Sequence, residues 1–193
     1  MRYDPDVHHR QSIRLRGYDY AREGAYFVTL CVQGRQCLFG EMAGGEMTLN
    51  ESGGMIEAWW RKIPEKFGNT RLDEFVIMPN HFHGIIRLVG ADPCVRPGFP
   101  DPGIDKQGAH AGAGAHMGAP LQTIVQWFKT MTTNAYIRGV EQDGWPPFPG
   151  RLWQRNCYER IIRNEDELAR ARRYIEENPM QWHLDAENPA NIP

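Results

Sequence analysis

One stretch of the chain constrains its fold more than any other. FVIMPNHFHGIIRLV, Phe75 to Val89, contains two runs rich in β-branched and aromatic residues that meet at a Met-Pro-Asn sequence, 78–80. Proline fixes its φ angle and asparagine accepts turn conformations, so the two runs predict a tight antiparallel hairpin. His81 and His83 interrupt the second run, and an imidazole is costly to bury unless its polar atoms are satisfied. The hairpin therefore has to accommodate two polar rings.

Hydrophobic periodicity and cap residues predict the other elements of the chain. Strands are predicted at 25–33, 45–50, 71–79 and 81–89, helices at 51–67, 121–137 and 164–179, and an extended segment at 152–163. The last helix has clear boundary signals, with Asn164 as its N-cap, acidic residues in its first turn and Pro179 as its stop. Strands that follow one another along the chain, with the helices grouped apart from them, predict an α+β domain. In such a domain, we expect an antiparallel sheet that carries helices on one face.

Residues 90–119 differ in composition from the rest of the chain. They are rich in Gly, Ala and Pro and contain the near-repeat GAHAGAGAHMGA. Such a segment cannot bury enough apolar area to offset the entropy of ordering it, so a flexible insert is predicted. His110 and His116 lie in it, but glycine-rich backbone preorganises a metal site poorly. The whole chain, 193 residues with 41% hydrophobic residues, predicts a single domain, 1–193.

Charge and cysteine usage limit the classes of function. A net charge of −2 gives no overall attraction to nucleic acid or membranes, so binding to either must depend on local features. The first residues of the chain and residues 151–173 are locally rich in arginine. No apolar segment approaches the length that spans a bilayer, and the N-terminus lacks the apolar core of a signal peptide. The four cysteines form no C-x-x-C pair, so we expect free thiols and a cytoplasmic location.

Two pairs of side chains are candidates for chemistry. In a strand, residues two apart share a face, so His81 and His83 present neighbouring imidazoles that suit a divalent metal. Two surface histidines would show the same spacing. Tyr174 and Asn178 lie four apart on the last helix and therefore share a face of it. They could meet the histidines if that helix packs across the sheet, or they could be a core residue and a C-terminal cap.

Two motifs in this order, MPNHFHGIIRL and LWQRNCYERIIRNEDELARARRYIEENPMQW, resemble the HUH single-tyrosine transposase family, and in particular its REP-associated tyrosine transposases. The resemblance includes the opening segment IRLRGYDYAREGAYFVTLCVQGRQCLFGE and the helix around IVQWFK, but not the insert. It implies a ferredoxin-like fold, a Mg²⁺ or Mn²⁺ ion, and DNA transposition through cleavage of single-stranded, hairpin-containing DNA. The product would carry a 5′-phosphotyrosine link and a free 3′ hydroxyl.

The resemblance also implies a role for each motif residue. His81 and His83 would be metal ligands, Tyr174 the nucleophile and Asn178 the third ligand. We expect metal affinity to weaken as the histidines become protonated, near their reference pKa of about 6.5. Tyr158 is a weaker candidate for the nucleophile, because Ile162 stands where a ligand would be needed four residues later.

A strand transferase must also bind DNA. The candidate contacts are basic side chains for phosphates and aromatic side chains for stacking on unpaired bases: Arg14, Arg16, Lys129, Arg151, Arg155, Arg160, Arg163, Trp127, Trp153 and Tyr158. The tryptophans could equally be core residues, and the arginines part of a solvated face. Two other functions remain open, a domesticated nuclease and a non-catalytic nucleic-acid-binding regulator. We expect a monomer, with a homodimer as the alternative.

Overall fold

The computed structural model describes residues 19–90 and 118–191. Its strands and helices, in chain order, are β1 (Gly24–Cys31), β2 (Gly40–Ala43), β3 (Glu46–Leu49), α1 (Glu51–Arg61), α2 (Ile63–Lys66), β4 (Thr70–Ile77), β5 (His81–Leu88), α3 (Leu121–Gln142), β6 (Tyr158–Ile162) and α4 (Glu165–Glu177). Strands β4-β5-β1-β6, in that order, form an antiparallel sheet, and β2 and β3 form a separate hairpin. The four sheet strands with α1 and α3 between them make the βαββαβ arrangement of ferredoxin-like folds. The predicted α+β class is confirmed.

Helices cover both faces of the sheet, so the prediction of helices on one face is wrong. The reason lies in β5, where every residue from His81 to Ile86 is buried, so both sides of the strand need cover. Phe82 and Ile86 pack into the larger core, which includes Trp60 of α1 and Phe128 of α3. Ile85 belongs to a smaller core on the opposite face, beneath α4, with Phe27, Ile162, Leu168 and Ile175. His81 and His83 share the face of Ile85 and therefore project toward α4.

Local sequence explains the element boundaries. The Met78 backbone N–H donates to the His81 carbonyl at 2.8 Å, which closes the predicted turn of the β4-β5 hairpin. Asn50 caps α1 by accepting from the Gly53 N–H at 2.9 Å, so this helix begins before its two glycines. Asn164 caps α4 in the same way, accepting from the Glu167 N–H at 2.9 Å. Strand β2 was not predicted, and α3 extends five residues beyond its predicted end, from 137 to 142.

The predicted insert of residues 90–119 lies, except at its ends, outside the described residues, and so do His110 and His116. Among the helices that the structure describes, none combines the length and the apolar character needed to cross a bilayer.

Candidate metal and tyrosine site

The β5 register brings the two histidines together at one end of the sheet. His81 lies opposite Cys31 of β1, and His83 lies opposite Thr29. The two imidazole rings are 4.7 Å apart between centroids and stand at 69° to one another. Both residues are buried, with 0% and 5% of their surface exposed. A buried imidazole needs polar partners for both of its ring nitrogens, Nδ1 and Nε2. In both histidines, the surroundings of Nδ1 differ from those of Nε2.

Both Nδ1 atoms are hydrogen bonded. His83 Nδ1 lies 2.8 Å from the Thr29 hydroxyl, and His81 Nδ1 lies 2.9 Å from Asn80 Oδ1. The Asn80 amide nitrogen donates to the Arg35 carbonyl at 3.0 Å and to the Glu187 carbonyl at 2.7 Å, which fixes the orientation of that amide. Asn80 Oδ1 is therefore an acceptor, so His81 Nδ1 must carry the proton. The lone pair of neutral His81 is consequently on Nε2, as a metal ligand requires.

Three buried polar atoms at this site have no hydrogen-bond partner among the described residues: His81 Nε2, His83 Nε2 and Asn178 Oδ1. Buried polar atoms without a partner are rare and need an explanation. Asp185 brings a carboxylate to the same place, with its Oδ2 3.7 Å from His81 Nε2. One ligand atom each from His81, His83 and Asp185 lies within 4.8 Å of the others. Two imidazole nitrogens with carboxylate and amide oxygens form a donor set that fits a divalent cation.

Burial also sets the charge of the histidines. Desolvation lowers the pKa of His81, although the Asp185 and Glu187 carboxylates act in the opposite direction. The pKa of His83 is lowered further below its ordinary value, first by desolvation and then by the neighbouring His81 ring. Both imidazoles are therefore neutral near pH 7. Protonation competes with metal binding at a lower pH than the reference value of about 6.5 suggests.

Tyr174 lies on α4 directly beside the pair. Its ring contacts the His83 ring edge-on, with centroids 5.2 Å apart, and the Phe27 ring at 5.9 Å. The Asn178 amide is near enough to both groups to affect their pKa values, raising that of His81 and lowering that of Tyr174. Burial and the Asp185 carboxylate raise the pKa of Tyr174, whose side chain is nevertheless exposed enough for a large ligand to reach it. The phenol is therefore protonated and accessible at neutral pH.

An ion pair fixes α4 over this face of the sheet. Arg172 donates two hydrogen bonds of 2.7 Å to the two carboxylate oxygens of Asp73 in β4, and Arg87 of β5 lies 3.9 Å away from the same carboxylate. The carboxylate is 9% exposed, and the Arg172 hydrogen bonds lower its pKa below the ordinary value. The pair therefore links the helix that carries Tyr174 to the strands that carry and flank the histidines.

A cavity of about 640 Å³ opens in front of these residues. His83, Tyr174 and Asn178 line it, and so do two of the predicted DNA contacts, Tyr158 and Arg160. Tyr158 and Arg160 pair with Thr29 and Phe27 of β1, which places them on the same face as His83. Sequence reasoning missed Arg170 of α4, which also lines the cavity.

The remaining predicted contacts lie elsewhere. Trp153 is 3% exposed and its indole N–H donates to the Thr132 hydroxyl at 2.9 Å, so its prediction as a stacking surface is wrong. Trp127 packs against Trp59 and Phe67 in the core on the far side of the sheet.

Basic residues away from the cavity differ in their surroundings. The Lys129 ammonium donates to the carbonyls of Gln154 and Arg155 at 2.6 and 3.3 Å, which gives this side chain a structural role. Arg151, Arg155 and Arg163 are exposed outside the cavity, and Arg14 and Arg16 lie outside the described residues.

Sequence reasoning missed Asp185, Asn80 and Thr29. Asp185 lies beyond Pro179, where no periodic pattern relates it to β5. Asn80 was interpreted only as a turn residue, although it precedes the first histidine directly. Thr29 could have been found from the strand register, because a residue opposite His83 must contact it.

The sheet order and the helices on both faces define the fold. The structure of a REP-associated tyrosine transposase bound to a REP hairpin matches with a TM-score of 0.52, over 88% of this chain and 74% of that chain, at 17% sequence identity. The chain therefore has the fold of the tyrosine transposases, as the sequence predicted.

Sequence comparison places the chain in a family. It is 37% identical to an uncharacterized protein of Haemophilus influenzae over 192 residues, which cover 95% of this chain and 96% of that protein. The chain belongs to the same family as this protein. No protein-family model matches the sequence.

Proposed function

We propose that this protein is a metal-dependent single-stranded DNA endonuclease and strand transferase of the tyrosine transposase type. One observation carries the proposal: within residues 19–90 and 118–191, Nε2 of His81 and of His83 and Oδ1 of Asn178 are buried without hydrogen-bond partners, beside an accessible tyrosine. A protein that only binds nucleic acid needs no such atoms, whereas a site that holds a cation next to a nucleophile does.

Tyr174 is the proposed nucleophile. Its phenolic oxygen attacks a backbone phosphorus, a new O–P bond forms, and the bond from phosphorus to the 3′ oxygen breaks. The phenolic proton is lost, the 3′ oxygen takes up a proton and leaves as a hydroxyl, and the 5′ phosphate stays on the tyrosine. Attack by another 3′ hydroxyl reverses these bond changes and reseals a strand, so no nucleotide cofactor is consumed.

His81, His83 and Asp185, with Asn178, would hold a Mg²⁺ or Mn²⁺ ion. When bound, this ion would polarise the scissile phosphate and offset the charge that develops during transfer. The chain itself prepares the site. Asn80 keeps the His81 lone pair on Nε2, burial keeps both rings neutral, and the Phe27 and His83 rings orient the phenol.

The cavity in front of Tyr174 is the proposed DNA site. Arg160 and Arg170 offer positive charge to phosphates, and the exposed Tyr158 ring offers a stacking face. The transposase with the matching fold is bound to a REP hairpin, so hairpin-containing single strands are the proposed substrate. Every residue of the proposed site comes from one chain, which supports a monomer as the active form.

A covalent-adduct assay tests this function. The protein is incubated with hairpin-bearing single-stranded DNA and Mn²⁺, and the products are separated on a denaturing gel. We expect a protein–DNA adduct that disappears with a chelator and in Tyr174→Phe. Tyr158→Phe is the matched control, since it removes the hydroxyl of the other tyrosine that lines the cavity and should leave the adduct in place.

The other outcomes decide against parts of the proposal. An adduct that persists in Tyr174→Phe refutes this residue as the nucleophile. Cleavage without an adduct indicates a nuclease with another nucleophile. DNA binding that survives chelation, with no cleavage in any divalent metal, indicates a regulator.

A further inference from the structure

The segment after α4 forms one wall of the site. This strap, defined as residues 182–191, contains two short 3-10 turns and supplies Asp185. It is folded on itself: the Asn188 side chain donates to the Trp182 carbonyl, and the Asn191 side chain donates to the His183 and Asp185 carbonyls, each at 2.9 Å. Because of these bonds, the strap can behave as one unit whose attachment decides where Asp185 lies.

The Asp185 carboxylate is oriented within the strap. Its Oδ1 accepts a hydrogen bond from the Glu187 backbone N–H at 2.6 Å, which leaves Oδ2 directed toward His81 Nε2. The Trp182 ring lies beside the His81 ring, with centroids 5.9 Å apart. The strap therefore approaches His81 with the Trp182 ring and with Asp185 Oδ2.

Two side chains outside the strap attach it to the sheet. Arg35 donates to both carboxylate oxygens of Glu187, at 2.9 and 3.4 Å. Asn80 bonds to the Glu187 carbonyl, to the Arg35 carbonyl and, through Oδ1, to His81. The side-chain amide of Asn80 thus connects the strap to the turn after β1 and to His81.

The backbone conformation of Arg35 also indicates that its surroundings hold this attachment in place. Its φ is +55°, the only positive φ at a non-glycine residue in the described part of the chain. A side chain larger than glycine adopts this conformation only where its surroundings hold it there. Here the Asn80 hydrogen bond holds the Arg35 carbonyl and the Glu187 carboxylate holds its guanidinium.

We propose that Arg35 and Glu187 are positioning residues that set the affinity of the site for a divalent cation by fixing Asp185, although neither is a ligand. The proposal rests on the metal site proposed above. It also implies coupling in both directions, because a strap that strengthens cation binding when docked must itself be held more firmly when the cation is bound.

The test uses the sign of the effect of Arg35→Gln on Mn²⁺ affinity, measured by calorimetric titration of the full chain. Direct electrostatics predicts tighter binding, since a positive charge near the cation is removed. Loss of positioning predicts weaker binding, by about tenfold if Arg35 acts as outer-shell partners of metal sites do. Arg61→Gln is the matched control, since it breaks a similar pair with Glu57 on α1, on the far side of the sheet, and should leave affinity unchanged.

A second measurement separates positioning from a folding defect. Amide hydrogen exchange of the strap should be slowed by Mn²⁺ in the wild type and should be faster in Arg35→Gln, with the rest of the chain unchanged. The reversed pair, Arg35→Glu with Glu187→Arg, should recover part of the lost affinity. Equal or tighter Mn²⁺ binding by Arg35→Gln overturns the positioning role and leaves the metal site standing. A wild type that binds no Mn²⁺ overturns both.

Discussion

The ion pair between Asp73 and Arg172 predicts how firmly the tyrosine helix is fixed to the sheet. Asp73→Asn keeps the shape of the side chain and removes its charge. The wild-type pair has two short hydrogen bonds and a carboxylate that is 9% exposed, but Arg172 is 43% exposed and therefore screened by water. The contribution of this ion pair to stability should lie between those of fully exposed and fully buried pairs. We therefore expect Asp73→Asn to lower the free energy of unfolding by about 1.5 kcal/mol, which corresponds to about 3–6 °C in Tm.

The pH dependence of this loss has a definite sign. Arg172 lowers the pKa of Asp73 in the folded state, so the carboxylate stabilises the fold at pH values above its unfolded pKa of about 3.9. That stabilisation is lost as the pH falls through the lower, folded pKa. Urea unfolding of both proteins should therefore show the full difference at pH 7 and a shrinking difference below about pH 4.

Glu57→Gln provides the control for the same assay, because its pair with Arg61 lies on the surface of α1 and should contribute less than about 0.5 kcal/mol. The reasoning is refuted if Asp73→Asn is as stable as the wild type at pH 7. It is also refuted if the difference stays constant down to pH 3, since the effect would then not come from the charge of Asp73.

Three further predictions concern the core, a helix cap and the site. Gly84→Ala should destabilise the fold by about 1–3 kcal/mol in urea unfolding, because the added Cβ would lie 2.6 Å from the Trp60 ring and 2.8 Å from the Phe82 ring. Asn164→Ala should cost about 1 kcal/mol in the same assay by removing the cap of α4, whereas Asn164→Asp should cost less. Mn²⁺ at about a hundred times its Kd should stabilise the wild type by about 2.7 kcal/mol in thermal unfolding; His83→Ala should lose this gain, and a chelator should reverse it.

Local signals were enough to predict most of the fold. The β-branched and aromatic run of β5, the Met-Pro-Asn turn and the Asn164 cap of α4 each depend on residues close in sequence, and the structure confirms these elements. The face covered by α4 could not be predicted in the same way, because β5 is buried on both sides and only the whole arrangement decides which helix covers which side.

The site was predictable only as far as its motifs extend. His81 and His83 share a strand and Tyr174 and Asn178 share a helix, so spacing relates each pair internally. Asp185 reaches the histidines through the strap, whose position depends on Arg35, a residue far away in sequence. Trp153, in contrast, is a predicted DNA contact that the structure places away from the site. A tryptophan in an arginine-rich segment suggests a DNA contact, but the hydroxyl of Thr132 satisfies its indole within the core.

We propose that two buried imidazoles and a carboxylate hold a cation beside Tyr174. The most direct measurement is anomalous X-ray diffraction from crystals of the full chain grown with Mn²⁺. We expect one strong peak bonded to Nε2 of His81 and of His83, with an Asp185 oxygen in the same coordination shell. Full Mn²⁺ occupancy at other residues, with both Nε2 atoms hydrogen bonded to protein or water instead, would contradict it.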